Sequence, residues 1–422
     1  MSETVPLLRI DRAAFHADIE ALSRLTDPAQ PWTRRSFTPL FLEGRAWLTE
    51  RFAQAGLDVR IDPAGNLIGR WPAAEAATPV LMTGSHSDTV PGGGRFDGIA
   101  GVAASLAAVR AMRAAGHVPR HTIEVVDFLA EEPSDWGLSC IGSRGMAGDL
   151  GPRELALTGP GGETLASAID RVGGSVAELS AARRTDVAGF LELHIEQGPV
   201  LETEGIPVGV VSAIVGIGRV RVRFAGLAGH AGTVPMAGRR DAGLALARFA
   251  LAVRDEARRA GGNGHFTATI GVTRVEPGGA NVVPGAAEAI VDIRAERDEA
   301  MARYVDTLHD VAAAAAAAEG CTVERIETLS LTTAVPCDEG LQAIIRAAAG
   351  RLGHATRPLA SGAGHDAAFV ARFAPSAMLF APSREGKSHC PDEWTDPDAL
   401  ADAADALLGA LVLRDSAPPF NA

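Results

Sequence analysis

Cysteine is scarce: the 422 residues hold four, Cys140, Cys321, Cys337 and Cys390, and no two of them form a C-x-x-C pair. This excludes a disulfide framework and a zinc ribbon and leaves buried or idle thiols, of which Cys390 stands apart because it directly follows His389. Basic charge is also short. Lys and Arg number 39 against 52 Asp and Glu, a formal charge of −13, which argues against nucleic acid or an anionic membrane surface as a partner. No apolar run approaches the roughly 18 residues that span a bilayer, and no basic n-region with an apolar core opens the chain, so a cytoplasmic protein without a membrane partner is expected. Disorder is excluded by a 47% hydrophobic content, and the length predicts two or three domains.

Within that frame, the stretch from Gly84 to Gly98 puts one imidazole and two carboxylates into turn-forming sequence. Pro79–Thr83 is a short apolar run of the kind that makes a buried parallel strand, so His86 falls at a strand's carboxyl end, where open α/β sheets place their ligands. Asp88 is placed to accept the second N–H of that imidazole and fix its tautomer. Asp97 follows a glycine-rich turn, and Gly98 opens a helix with Ile99, Val102, Leu106, Val109 and Met112 three or four apart.

The same juxtaposition recurs along the chain. Residues 1–30 read as an N-terminal helix. Leu42–Gly56 reads as a helix with Ala46, Leu48, Phe52 and Ala53 inward, followed by strands at 57–62 and 67–71 in a layered α/β pattern. Thr122–Ala130 is a core strand ending in Glu131-Glu132, two adjacent carboxylates that repel unless a cation neutralises them; one could bind metal while the other handles a proton. Phe190–Glu196 is a strand carrying His194, and Ala377–Pro382 a strand whose loop holds His389.

Between the last two lies a block of different rhythm. Arg219–Phe224, His265–Val275, Ala287–Ala295 and Thr322–Ser330 alternate, whereas Arg240–Ala260 and Arg297–Ala318 have helical period, the second ending in seven alanines. That order is βαββαβ, a ferredoxin-like arrangement inserted at residues 213–330 into a mixed-sheet α/β domain made of 1–212 and 331–422, with joints near Ser212 and Thr332.

Strand ends thus present His86, Asp97, Glu131, Glu132, His194 and His389, a donor set for two divalent ions about 3.5–4 Å apart and for hydrolysis. The ordered motifs H-x-D, D-G, E-E, H-I-E-Q-G-P, G-H-A-G, N-V-V-P, D-I-R, G-A-G-H-D-A and a late S-H resemble the M20-type metal-dependent amidohydrolases, over nearly the whole chain. Their hydantoinase/carbamoylase branch is the nearest, with N-carbamoyl-L-amino-acid hydrolases, β-ureidopropionase and allantoate amidohydrolase. A histidine as third-strand ligand and the eleven-residue step from His86 to Asp97 also look like that branch.

The resemblance implies that His86 and His194 hold one metal and Glu132 and His389 the other, with Asp97 bridging and Glu131 as general base. The ions would be Zn²⁺ or Mn²⁺, with Co²⁺ or Ni²⁺ as further candidates. Gln197, His230, Asn281 and Arg294 match substrate-contacting positions, His230 also stabilising the oxyanion; His365-Asp366 reads as a helix start and is assigned a supporting role beside the ligands. The inserted domain is expected to act as lid and homodimer surface. Ser87, Trp136, Arg144 and the Lys387 and Cys390 flanks of His389 depart from the family pattern and bear on the substrate. That substrate is expected to be an N-carbamoyl-L-amino acid or related ureido acid. The alternatives are an N-acyl-amino-acid amidohydrolase or dipeptidase of the same fold, and a non-catalytic binding homologue.

Overall fold

In chain order the strands are β1 (Asp58–Ile61), β2 (Leu67–Trp71), β3 (Val80–His86), β4 (Thr122–Phe128), β5 (Val187–Ile195), β6 (Val208–Ile214), β7 (Gly216–Ala225), β8 (Gly229–His230), β9 (Phe266–Glu276), β10 (Val282–Val283), β11 (Ala286–Ala295), β12 (Thr322–Leu331), β13 (Val335–Pro336), β14 (Thr356–Ser361) and β15 (Ser376–Ala381). The computed structural model describes residues 7–75, 78–262 and 264–417. The chain divides into two units, Met1–Ser212 with Cys337–Pro358 and His365–Ala422, and Ala213–Pro336 with Leu359–Gly364.

The first unit is built on a mixed sheet in the order β1-β2-β4-β3-β5-β15-β6. Its centre is parallel: β3 pairs with β4 and with β5, and β5 with β15. Antiparallel strands flank it, β2 beside β4 and β6 beside β15. Every residue of β3, β4 and β15 is buried, as expected of parallel strands covered by helices on both faces. Each Val, Leu, Ile or Phe so enclosed contributes about 1.5–3 kcal/mol. The register sets His86 beside Phe128 and His194 beside Phe380, so the carboxyl ends of four parallel strands open on one edge. The helix Ile99–Ala114 presses so close that a Cβ on Gly101 would lie 2.3 Å from the Leu193 carbonyl oxygen.

Two local expectations fail here. The N-terminal helix covers Arg12–Arg24 and not all of 1–30; residues 1–6 lie outside those described, and Pro28 and Pro31 cannot continue a helix. In the helix Pro39–Gln54, Ala46 and Ala53 are exposed, and Arg45 turns inward with Phe41, Leu48 and Phe52. An arginine takes the inner position because a buried carboxylate faces it: Arg45 Nε donates to Asp127 Oδ2 at 3.0 Å.

The second unit carries the antiparallel sheet β12-β7-β11-β9, with strands and helices in the βαββαβ sequence. Val220, Val222, Phe224, Ala289, Val291 and Ile293 point to one face and pack with Phe249, Tyr304 and Leu308 of the helices Ala242–Ala260 and Asp298–Ala318. The alanine run is helical, and its buried members, Ala312, Ala315 and Ala316, sit at helical spacing. The first unit resumes at Cys337 and not at 331, because Val335 and Pro336 pair with Ile214 and Ala213. Leu359–Gly364 joins the second unit without a sequence signal; there the Ser361 carbonyl accepts the Val215 N–H at 3.0 Å.

Candidate metal centre

At the open edge of the parallel strands two triads form, His86–Asp97–His194 and Asp97–Glu132–His389, the donor atoms within each lying within 4.8 Å of one another. Asp97 is common to both and divides its oxygens between them. Its Oδ1 lies 3.0 Å from His194 Nε2 and 3.6 Å from His86 Nε2, and its Oδ2 lies 3.0 Å from His389 Nε2. His389 Nε2 is also 3.2 Å from Glu132 Oε1. Glu131 completes the group, with Oε2 3.6 Å from His86 Nε2.

The hydrogen bonds fix which nitrogens are free to ligate. His86 Nδ1 lies 3.0 Å from the Asp88 carbonyl oxygen and His194 Nδ1 2.9 Å from the Ile195 carbonyl oxygen. Carbonyls only accept, so each Nδ1 carries the proton and each Nε2 lone pair faces Asp97. The Gly98 N–H donates to His194 Nε2 at 3.3 Å, which the same tautomer requires. Asp88 is the acceptor expected for His86, through its backbone carbonyl, while its Oδ1, 3.5 Å from the ring, accepts the Glu131 N–H at 3.2 Å.

Charge balance points the same way. Burial opposes charge on His86, yet Glu131, Asp88 and Asp97 raise its pKa well above the ordinary range. Hydrogen bonds to Asp97 and Glu132 push His389 up to about 11. Burial pushes Glu131 well above the usual carboxylate range, against His86 and with Glu132, Asp366 and Asp97. An anionic, largely buried nest that drives its imidazoles to take up protons is one that divalent cations would neutralise, and its N and O donors suit such ions. The residues present therefore fit a pair of divalent metals.

The backbone is shaped for the site. Gly98 has φ 65, and a Cβ there would fall 2.4 Å from the His86 ring. Ala130, Gln197 and His389 hold φ of 52, 57 and 54, a left-handed conformation that costs non-glycine residues about 1–3 kcal/mol and gathers at functional sites.

Other expected residues are placed as follows. Gln197 directs its side-chain amide to Asp97 Oδ2 at 3.0 Å and to Ser388 Oγ at 3.1 Å. His365 packs edge-on against His194 with ring centroids 4.6 Å apart, and Asp366 accepts from Ser143 Oγ at 2.5 Å. His230, Asn281 and Arg294 belong to the second unit. There the Ala231 N–H donates to the Asn281 carbonyl at 2.9 Å, beside His230 in the β8–β10 ribbon, and Arg294 bonds Asp292 at 3.1 Å and the Gly362 carbonyl at 2.6 Å. Of the departures from the family pattern, Ser87 and Trp136 are buried, Arg144 pairs with Asp149 and Lys387 with Glu385.

Several neighbours escape sequence reasoning. Buried Arg34 donates twice to the Ser87 carbonyl, at 2.9 and 2.7 Å, and so pins the loop after His86. Cys140 Sγ lies 3.8 Å from Glu131 Oε1. Buried Glu393 accepts the N–H groups of Phe96 and Asp97. Its surroundings, Cys390-Pro-Asp-Glu-Trp394, read as an ordinary polar loop; the one available signal was the Gly92–Gly94 triplet, which allows a side chain to approach the backbone.

A two-unit α/β chain with paired donor triads at parallel strand ends defines a metallohydrolase architecture. Residues 82–412 match Peptidase family M20/M25/M40, and the chain belongs to that family. It is 37% identical over 402 residues to an N-carbamoyl-L-amino-acid amidohydrolase of Paenarthrobacter aurescens, covering 94% of this chain and 97% of that one. A ureidoglycolate hydrolase of Oryza sativa subsp. japonica is 32% identical over 418 residues, covering 95% and 84%. The crystal structure of an amidase of the hydantoinase/carbamoylase family from Burkholderia multivorans superposes with a TM-score of 0.89 at 32% identity, covering 98% of this chain and 100% of that one. Among the described residues no helix is long and apolar enough to cross a membrane.

Proposed function

We propose that this chain hydrolyses the linear C–N bond of a ureido group in a carboxylate-bearing substrate, an N-carbamoyl-L-amino acid or a close ureido acid. The observation that carries the reading is the division of the Asp97 oxygens between two donor triads with Glu131 beside them. The named relatives, which share about a third of their residues with this chain, support the ureido class.

When bound, two divalent ions, Zn²⁺ or Mn²⁺ by the donor set, would supply Lewis-acid activation of water and of the scissile carbonyl. His86 and His194 would hold one, Glu132 and His389 the other, and Asp97 both. Glu131 takes a proton from the attacking water at its carboxylate and returns it to the leaving nitrogen, a transfer suited to a carboxyl group whose pKa burial has raised. From the second unit His230 stabilises the oxyanion, while Asn281 and Arg294 recognise the substrate, the guanidinium fork meeting the α-carboxylate. For a carbamoyl substrate, water consumption yields the free amino acid, ammonia and carbon dioxide. We further propose a homodimer formed through the second unit, which light scattering at assay concentration checks.

The test is a panel of N-carbamoyl, N-formyl and N-acyl amino acids with allantoate, assayed with metal-loaded protein and with Arg294→Lys. Turnover concentrated on ureido acids, and lost on amidation of their carboxylate, is the expected result. Turnover concentrated on N-acyl amino acids would make the chain an aminoacylase instead, and equal turnover of amidated and free acids would remove Arg294 from substrate binding.

A further inference from the structure

Two loops deliver the residues of the Asp97–Glu132–His389 triad that do not follow β4. One, Gly92–Asp97, precedes a helix; the other, Lys387–Trp394, follows β15. Neither is held by strand pairing, so something else must set the distance between Asp97 and His389. The structure places Glu393 between them. Its Oε1 accepts the Phe96 N–H at 2.8 Å and the Asp97 N–H at 3.2 Å, and its Oε2 accepts from Ser388 Oγ at 2.7 Å. Ser388, next to His389 in the chain, also lies 3.4 Å from Asp97 Oδ2.

The fit around this carboxylate leaves no slack. Glu393 is 2% exposed, and a Cβ on Gly94, whose φ is 132, would lie 2.3 Å from its carboxyl carbon. On the outer side the contact is aromatic: Phe96 meets Trp394 edge-on at 5.5 Å, and the Arg95 guanidinium lies 4.7 Å from the Trp394 ring and 5.0 Å from that of Trp32. Glu393 thus reaches Asp97 through the Asp97 backbone N–H and His389 through the neighbouring Ser388.

We infer that Glu393 is a positioning residue which fixes Asp97 against His389 and thereby sets the affinity of the Asp97–Glu132–His389 position, with a smaller effect on the His86–His194 position, which shares only Asp97 with it. The inference rests on the two-metal reading above. Its physical basis is that ligands held in place lose no orientational freedom when an ion binds, and outer partners of this kind are worth about 10–100-fold in metal affinity.

The experiment is equilibrium dialysis of chelator-stripped protein against graded Mn²⁺, with bound metal per chain measured by mass spectrometry. Glu393→Ala is expected to weaken one of two binding constants by about 10–100-fold and the other, which shares Asp97, by clearly less. Glu393→Gln, which keeps an acceptor for the two backbone N–H groups, is expected to recover most of the loss. In a His389→Ala background, where that position is already lost, the loss of about 10–100-fold on Glu393→Ala should disappear. If Glu393→Ala does not fold, Glu393→Asp, which withdraws the carboxylate by one methylene, carries the same comparison. Unchanged constants in a folded variant, or an equal fall in both, would overturn the inference while leaving the metal pair intact. A wild-type chain that binds fewer than two ions would overturn both together.

Discussion

Strands β5 and β7 both carry charged or ionisable side chains at alternate positions, and the chain treats them in opposite ways. On β5, Glu192 and His194 are fully enclosed, and each has a specific partner: Ser85 Oγ donates to Glu192 at 2.7 Å, and His194 faces Asp97. On β7, Arg219, Arg221 and Arg223 line the helix-free face and pair with Asp292, Glu327, Glu276 and Glu324 at 2.8–3.2 Å. Buried polar groups without partners pay heavily in lost hydration, so every such group in the first unit implies a designated neighbour or a ligand. Solvated pairs are interchangeable and weak. Charge in a strand therefore signals function only when the strand is covered on both faces.

The sharpest way to break that contrast is Glu131→Gln. The amide cannot accept a proton, so kcat is expected to fall by about 10²–10⁴-fold with metal content retained; full activity would remove Glu131 from the reaction. In stability, Arg45→Met strips a buried carboxylate of its partner, because Arg45 and Asp127 are 3% and 0% exposed, and should cost about 3–5 kcal/mol in denaturant unfolding.

A smaller effect is expected at Asp415, a buried carboxylate that accepts from the His121 N–H at 2.8 Å and lies 2.7 Å from His117 Nε2. Burial would raise its pKa, but these hydrogen bonds hold it below the ordinary value. A depressed folded pKa stabilises above the unfolded value near 4 and loses that contribution as pH falls below it. Asp415→Asn should thus cost about 1–3 kcal/mol at neutral pH, and the gap to the wild type should narrow when unfolding is followed below about pH 4. Least of all, Arg223→Gln on β7 should shift unfolding by no more than about 1 kcal/mol, despite its two partners. A loss as large as that of Arg45→Met would erase the distinction between the two strands.

The difference between covered and open strands also explains what could be read in advance. His86, Glu131 and His194 were legible because each sits where an apolar run ends, and His389 because its loop follows such a run, a local pattern. The alternation of β7, β9, β11 and β12 and the helical period of the alanine run were local as well. Ala46 and Ala53 were expected inward and Arg45 was not, because its inward position depends on Asp127, 82 residues away. Glu393 was missed because its hydrogen bonds to Phe96 and Asp97 join loops nearly 300 residues apart, and no periodicity records such a meeting. Asp88 was legible as the acceptor for His86 Nδ1 from spacing alone, and the fold adds that its carbonyl, at 3.0 Å, is the nearer atom.

Whether one shared carboxylate joins two metal positions is decided by the metal content of Asp97→Ala beside the wild type after dialysis against the same buffered Mn²⁺. Two ions per chain are expected in the wild type and loss of both in the variant, since the two triads have Asp97 as their only common member. Retention of both ions at unchanged affinity in Asp97→Ala, with the fold intact, would contradict such sharing.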